Sequence, residues 1–251
     1  MSNDKYIAKR YCEKLLSNVQ IASYPNSITK DDVPNLIKQT FICGQKICSL
    51  CKKEQTTPAY FFITAVSQVL NRIIGEESLM LVLDDMLPFV SQICNHGILE
   101  AIQRTEQQYK DTKQNINYPV TKIYDEINLK PEIMLIYHSN EMEFKNRASN
   151  IALKINILPN NDDFIISVEY DNSRYNSVYI ERLLSAIKQF VQEASIHTEM
   201  PCTKIPLLSR EEELNMIALC SGETLELPEK TFIQMFKEKV VLWPDAVAIV
   251  D

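Results

Sequence analysis

The residues of this chain that could carry chemistry are few and widely spaced. The three histidines, His96, His138 and His197, are never adjacent, and no Asp-Gly pair occurs anywhere. General acid–base work needs an oriented imidazole. His138 follows an expected strand and His197 ends an expected helix, so both read as solvated or capping histidines. Cys48-x-x-Cys51, with Cys43 nearby, raises zinc or redox chemistry, but a structural zinc site takes four ligands and no second pair stands close in sequence. Cys43 and Cys51 also fall on an apolar helical stripe and read as buried structural thiols. Ser209 and Ser221 would be nucleophiles only beside a base, and Ser209 is better placed as a helix N-cap. Asp84-Asp85 reads as a turn rather than a metal pair, and Tyr170-Asp171-Asn172-Ser173 as a strand end closed by an Asx-type turn. Trp243, before Pro244, reads as packing at a helix end.

The bulk properties narrow the classes further. At 251 residues the chain is one large domain or two small ones, long enough for a core. With 45% apolar and 24% charged residues it has the balance of an ordinary globular protein. A net charge of −7 argues against a broad nucleic-acid footprint. No apolar run reaches the length of a membrane span. The amino terminus has no apolar signal core, and seven cysteines, an odd number, fit a reducing compartment; the expected location is cytoplasmic. Four glycines leave no phosphate-cradling loop of the G-x-x-x-x-G-K or G-x-G-x-x-G kind.

Periodicity supplies the elements that hold these residues. Residues 6–16 read as a short helix, a loop follows through Pro25 and Pro34, and residues 36–43 read as a strand. Cys43, Ile47, Leu50 and Cys51 mark one face of a short helix. Thr57-Pro58 opens the strongest helix, apolar on most of its circumference, and Gly75 closes it. Residues 79–83 and 89–94 are short strands, 98–113 a polar-rich helix and 120–127 a helical turn or two. Strands follow at 133–138, 151–158 and 164–170. The alternation of Ile151, Leu153, Ile155 and Ile157 points to a half-exposed sheet, and Asn160-Asn161-Asp162-Asp163 to the turn of an antiparallel pair. A long amphipathic helix carries Ile180, Leu183, Leu184, Ile187, Phe190, Val191 and Ala194. The sum is an α/β sandwich, a mixed sheet packed with helices, with no internal repeat.

The last fifty residues have their own organisation. Ser209 and Glu212 form an S-x-x-E capping box before a helix whose apolar face is Leu214, Ile217 and Ala218. Gly222 and Pro228 interrupt it, and Thr231 starts a second helix with Phe232, Met235, Phe236 and Val240 as its stripe. Pro244-Asp245 then turns into the apolar β run Ala246–Val250.

Pro206-Leu207-Leu208-Ser209, Lys230-Thr231, Phe236 and Pro244-Asp245-Ala246-Val247-Ala248, in that order, resemble the junction between the condensation and adenylation domains of non-ribosomal peptide synthetases. The preceding two hundred residues resemble the carboxy-terminal lobe of a condensation domain, with the chloramphenicol acetyltransferase-like fold. Tyr11–Leu15 resembles the family's Y-W-x-x-x-L helix, with Cys12 in place of Trp. Thr57 to Gly75 resembles T-x-x-x-x-L-x-A-x-x-x-L-x-x-x-x-G. Leu87–Gln92 resembles G-F-F-V-N-T, keeping Phe89-Val90, and Tyr170-Asp171 with Ile180-Glu181-Arg182 resembles a Y-N element followed by an I-E-R helix. The likeness is weakest between Asp84 and Lys113.

The resemblance implies a partial condensation domain over 1–203, an inter-domain linker over 204–229 and the start of an adenylation domain over 230–251. The catalytic H-H-x-x-x-D-G motif belongs to the family's other lobe and has no counterpart here, so no catalytic residue is expected. The family's crossover between the strands at 79–83 and 89–94 is missing as well. Both departures, together with Met1 at the start, imply a naturally partial domain heading a synthetase's first module. The expected inter-domain interface is Ile205, Pro206, Leu207, Leu208 and Phe236. The implied partners are a downstream adenylation domain and a peptidyl carrier protein, with neither nucleic acid nor membrane. No cofactor is expected in this chain; phosphopantetheine belongs to a carrier domain, and ATP with Mg to the adenylation domain. The rival expectations are an acyltransferase completed by a lobe in trans, which needs an exposed apolar face beside Phe89 and the 98–113 helix, and a docking surface for a tailoring enzyme.

Overall fold

The computed structural model describes residues 3–17, 19–26, 36–41 (backbone), 44–138, 151–222 and 229–247. Cys43, Pro228 and the end of the expected terminal strand lie outside them. The chain divides into two compact units, Met1–Ser209 and Arg210–Asp251.

The first unit is built around α3 (Pro58–Ile74), in which every residue from Phe61 to Asn71 is buried. Both of its ends obey local rules. Pro58 at the first position needs no N–H partner, and Gly75 adopts the left-handed φ of +82° that lets its N–H close on the Asn71 carbonyl. The Thr57 side chain makes no capping bond, so proline alone marks the start. Around α3 lie α2 (Gly44–Lys53), α4 (Ile98–Asn115) and α6 (Ser177–Ile196), the last capped by Asn176 accepting from the Tyr179 N–H. The shorter α1 (Asn3–Leu15) and α5 (Val120–Glu126) share a satellite cluster of Ala8, Cys12 and Ile123.

The sheet is mixed. Strands β3 (Ser78–Val82), β5 (Ile133–Tyr137) and β6 (Leu153–Asn160) run parallel, while β7 (Asp163–Tyr170) and β2 (Leu36–Phe41) continue antiparallel beyond β6. The two-residue β1 (Gln20–Ile21) lies parallel to β3 within the expected loop, too short to leave a periodic signal. On its other side β3 pairs with β4 (Pro88–Gln92), antiparallel, across a 3-10 turn at Asp84–Met86. Met86 turns that corner at φ +63°, and its carbonyl accepts from the Tyr124 hydroxyl at 2.7 Å. The β6–β7 hairpin turns at Asn161 (φ +52°), as Asn-rich turns do. Gly44 fits against that turn because a Cβ there would meet the Asp162 carbonyl oxygen at 2.0 Å.

One expectation is overturned. The alternating strand β6 is buried on both faces from Leu153 to Ile157, Lys154 and Asn156 included. Alternation signals a wet face only when the polar residues meet water; these meet His138 and Glu169.

The second unit holds α7 (Arg210–Cys220) and α8 (Phe232–Leu242). α7 begins directly after Ser209, and Arg210 pairs with Glu213 at 2.8 Å. Thr231 and Gln234 form a reciprocal capping box, and the Phe232 and Phe236 rings stack at 6.3 Å. Leu214, Ile217, Phe232, Phe236 and Val240 are all exposed.

Candidate functional site

The strongest candidate is the place where the segment after α6 lies down on the first unit. Thr198 accepts from the Ile98 N–H at 3.1 Å, and the Cys202 N–H donates to the His96 carbonyl at 2.9 Å. Between those bonds Gly97 fits without a shift of backbone, since a Cβ would meet the Thr198 carbonyl oxygen at 2.3 Å. From the last turn of α3, Arg72 Nη1 donates to the carbonyls of Cys202, at 3.2 Å, and of Ile205. A guanidinium suits this task, because its fork of donors serves two fixed acceptors and keeps its charge when half-buried. Burial lowers its pKa from 12.5.

This geometry sorts the five expected interface residues. Ile205 is fully buried in the first unit, and Leu207 packs partly against the same core. Pro206 is exposed, as is Leu208 at 43%, and in the second unit Phe236 is 47% exposed. The linker's apolar residues are therefore divided, with Ile205 spent on its own lobe.

A second feature is a cleft of about 440 Å³ beside β4, lined among others by Lys14, Thr64, Ser67, Phe89, Arg104 and Gln108. The Ser67 hydroxyl is buried there without a hydrogen-bond partner.

The remaining chemical candidates are dispersed. His138 corrects its expectation as a solvated histidine: it is 6% exposed, with Nε2 3.1 Å from Asn156 Oδ1. Asn156 Nδ2 in turn donates to Glu169 Oε1 at 3.2 Å, and Glu169 Oε2 lies 3.7 Å from Lys154 Nζ. This polar chain crosses β5, β6 and β7. His197 caps α6 near Glu193, and His96 sits by Glu100, both exposed. Among the described residues no group of three or more His, Cys, Asp or Glu is placed to hold a metal ion.

Cys51 is buried and its thiol pushed up to about 12 by burial; Cys48 is half-buried. Burial, with the neighbouring Cys94 thiol, does the same to Cys202, to about 12. Ser221 donates to the Ile217 carbonyl of its own helix, and Asp171 Oδ1 accepts from the Ser173 N–H at 2.9 Å as an Asx turn. Nearby, burial acts to raise the Glu132 pKa, but bonds from Arg174 and Ser23 outweigh it and the net shift is downward. Trp243 ends α8 more than half exposed, its ring 4.6 Å from the Lys239 ammonium, so it packs less than expected.

Sequence reading missed Arg72, Gly97, Gln68 and Gln108. A signal existed for one group: Thr64, Ser67, Gln68 and Asn71 fall at i, i+3, i+4 and i+7, a polar stripe on an otherwise apolar helix.

The arrangement has parallels among known proteins. The chain is 21% identical over 152 residues to gramicidin S synthase 2 of Aneurinibacillus migulanus, covering 57% of this chain and 3% of that protein. It is 21% identical over 179 residues to surfactin synthase subunit 1 of Bacillus subtilis (strain 168), covering 62% and 5%. No family model matches the chain. Among solved structures, the four-domain nonribosomal peptide synthetase holo-AB3403, bound to AMP and glycine, superposes with a TM-score of 0.79 at 8% identity, over 96% of this chain and 23% of that one. The condensation domain of the Monacolin K polyketide synthase MokA gives 0.64 at 11%, over 78% and 58%.

This is a condensation-type fold. The X-domain from teicoplanin biosynthesis, solved in complex with OxyB, shares it with a TM-score of 0.64 at 12% identity, over 80% of this chain and 55% of that one. Sequence and fold together resemble a condensation domain's carboxy-terminal lobe followed by its linker. The chain spans at most a twentieth of the two synthetases named above. Among the described residues no helix is long and apolar enough to cross a membrane.

Proposed function

We propose that this condensation-type lobe is a catalytically silent platform for an adjacent adenylation domain in a synthetase's first, loading module. The lobe would comprise residues 1–203, the linker 204–229 and the adenylation start 230–251. The observation behind this reading is the Arg72 clamp. It draws Cys202 and Ile205 into the lobe and leaves Pro206 and Leu208 exposed, with Leu207 half-buried, beside the firmly held stretch. Domain orientation is fixed where an interface is large and hydrophobic, and these apolar residues would supply part of one to a neighbouring domain. In the second unit Phe236, the fifth residue proposed for contact with a neighbouring domain, is exposed as well. The silent reading concerns these 251 residues alone, which carry no H-H-x-x-x-D-G motif. Phosphopantetheine on a carrier domain, and ATP with Mg in the adenylation domain, would act elsewhere in the assembly. The test is sedimentation of this chain with an adenylation domain trimmed of the part equivalent to 204–251. Binding that weakens about tenfold, or roughly 1.4 kcal/mol, on replacing Leu207 and Leu208 by Asp supports the platform; binding indifferent to that change removes it.

The rival acyltransferase completed in trans requires an exposed apolar face at Phe89 and α4. Phe89 is buried, and the large exposed apolar side chains described in the first unit are Tyr6, Ile7, Ile21, Val178, Ile196 and Leu208, none on β4 or α4. The other reading, a docking surface for a tailoring enzyme or carrier protein, rests on the shared fold with the OxyB-bound X-domain. A pull-down with this chain that returns neither would end it.

A further inference from the structure

The bonding pattern of β3 and β4 determines what the free edge of the sheet presents. Ile93 N–H donates to Glu77 O at 2.9 Å and Leu83 N–H to Leu87 O at 2.8 Å. With Leu79 opposite Ser91 and Leu81 opposite Phe89, the odd positions of this hairpin exchange backbone bonds across the pair. The backbone groups of Pro88, Val90, Gln92 and Cys94 therefore point outward, toward the cleft. An outward row of this kind is a template for another strand.

Here four groups of that row, the N–H and carbonyl of Val90, the Gln92 carbonyl and the Cys94 N–H, are bonded by side chains. With its amide turned so that both ends are satisfied, Gln108 of α4 donates Nε2 to the Val90 carbonyl at 2.9 Å and accepts from the Val90 N–H at 2.7 Å. Gln68 of α3 donates Nε2 to the Gln92 carbonyl at 2.7 Å and accepts from the Cys94 N–H at 2.9 Å. A carboxamide carries the same donor and acceptor as a peptide group, so each glutamine replaces one residue of a missing neighbour strand. Pro88 contributes no N–H at all. Two further contacts brace the glutamines' surroundings: the Thr64 hydroxyl bonds Thr105 at 2.8 Å, and Ser91 bonds Asn71.

We propose that Gln68 and Gln108 are built-in strand mimics that close the β4 edge, so that neither a second copy of this chain nor a separate lobe can extend the sheet there. Partners of the lobe must dock through side chains or at other surfaces. The inference stands apart from the platform reading, because nothing in it involves the linker or an adenylation domain.

Amide exchange on the intact 251-residue chain tests it. Val90 and Cys94 amides are expected to be protected. Gln108→Ala should speed Val90 exchange by about tenfold, the loss of one hydrogen bond, and leave Cys94 unchanged. Gln108→Glu retains an acceptor but lacks the donor when ionised, and should keep Val90 protected. In sedimentation, Gln108→Ala should associate at concentrations where the parent chain does not. Equal Val90 exchange in the parent and Gln108→Ala, or identical sedimentation of the two, overturns the proposal. Both variants sit on a half-buried helical position, so folding is checked by circular dichroism before either readout.

Discussion

The guanidinium of Arg72 donates to the backbone carbonyl of Ile205, 133 residues further along the chain. A single side chain at the end of the central helix thus holds the stretch that leaves the lobe. Arg72→Met keeps much of the aliphatic bulk and removes the donors, leaving two carbonyls short of a partner. The expected loss is about 1–3 kcal/mol in urea unfolding. It should come with faster exchange of the Lys204 amide, now bonded to Pro201 O at 2.8 Å. An unchanged Lys204 amide would show that the segment holds without its clamp.

Gly97 makes the neighbouring prediction. A methyl group there would sit 2.3 Å from the Thr198 carbonyl oxygen, backbone against backbone, with no flexible side chain to give way. Gly97→Ala should cost about 1–3 kcal/mol as an overpacking change. Protease cleavage between 198 and 209 should rise in parallel. Cleavage as slow as in the parent would mean the two segments part without consequence.

The buried thiols predict how the fold responds to alkali. Burial pushes Cys12 up to about 11 and Cys51 and Cys202 up to about 12, from 9.0. Each folded-state value lies above the unfolded one, so their contribution is fully present below pH 9 and is lost as pH climbs toward 11–12. The free energy of unfolding in urea should be flat from pH 7 to 9 and then fall, by at most about 1.4 kcal/mol per pH unit for each thiol involved. Alkylation at pH 8 should reach the exposed Cys220 and spare Cys51 and Cys202.

Tyr175 is the case where a deletion should help. Its ring is fully buried, 5.8 Å from that of Tyr24, and its hydroxyl has no hydrogen-bond partner. Tyr175→Phe removes an unsatisfied polar atom and keeps the ring, so stability should rise by about 1 kcal/mol. A loss of stability in urea unfolding would reveal a partner for that oxygen.

How much of this was legible beforehand depended on whether the cause was local. The proline start and glycine stop of α3 are properties of a few adjacent residues, and both boundaries were readable. So was the turn at Asn161. For β6, periodicity gave the strand and the wrong environment. Lys154 and Asn156 look solvent-facing until His138, just past the end of β5, and Glu169, across the β6–β7 hairpin, are brought against them. His138 was misread for the same reason. The polar stripe Thr64, Ser67, Gln68 and Asn71 could be seen, but not its use, since the β4 edge it serves is defined only once the β3–β4 pairing exists. Arg72 looked like one more basic residue near a helix end, and only the folded linker gives it acceptors.

The outermost strand, β2, has a further consequence for synthesis. Among the described residues its sheet neighbour is β7, with Leu36 opposite Glu169 and Phe41 opposite Phe164. At the usual pace of translation, roughly 5–20 residues per second, β2 waits on the order of 6–25 s for its mate to leave the ribosome. During that interval an early strand is available to whatever else is being made nearby. Until the sheet closes, stray pairing of β2 is a hazard of synthesis rather than of the finished lobe.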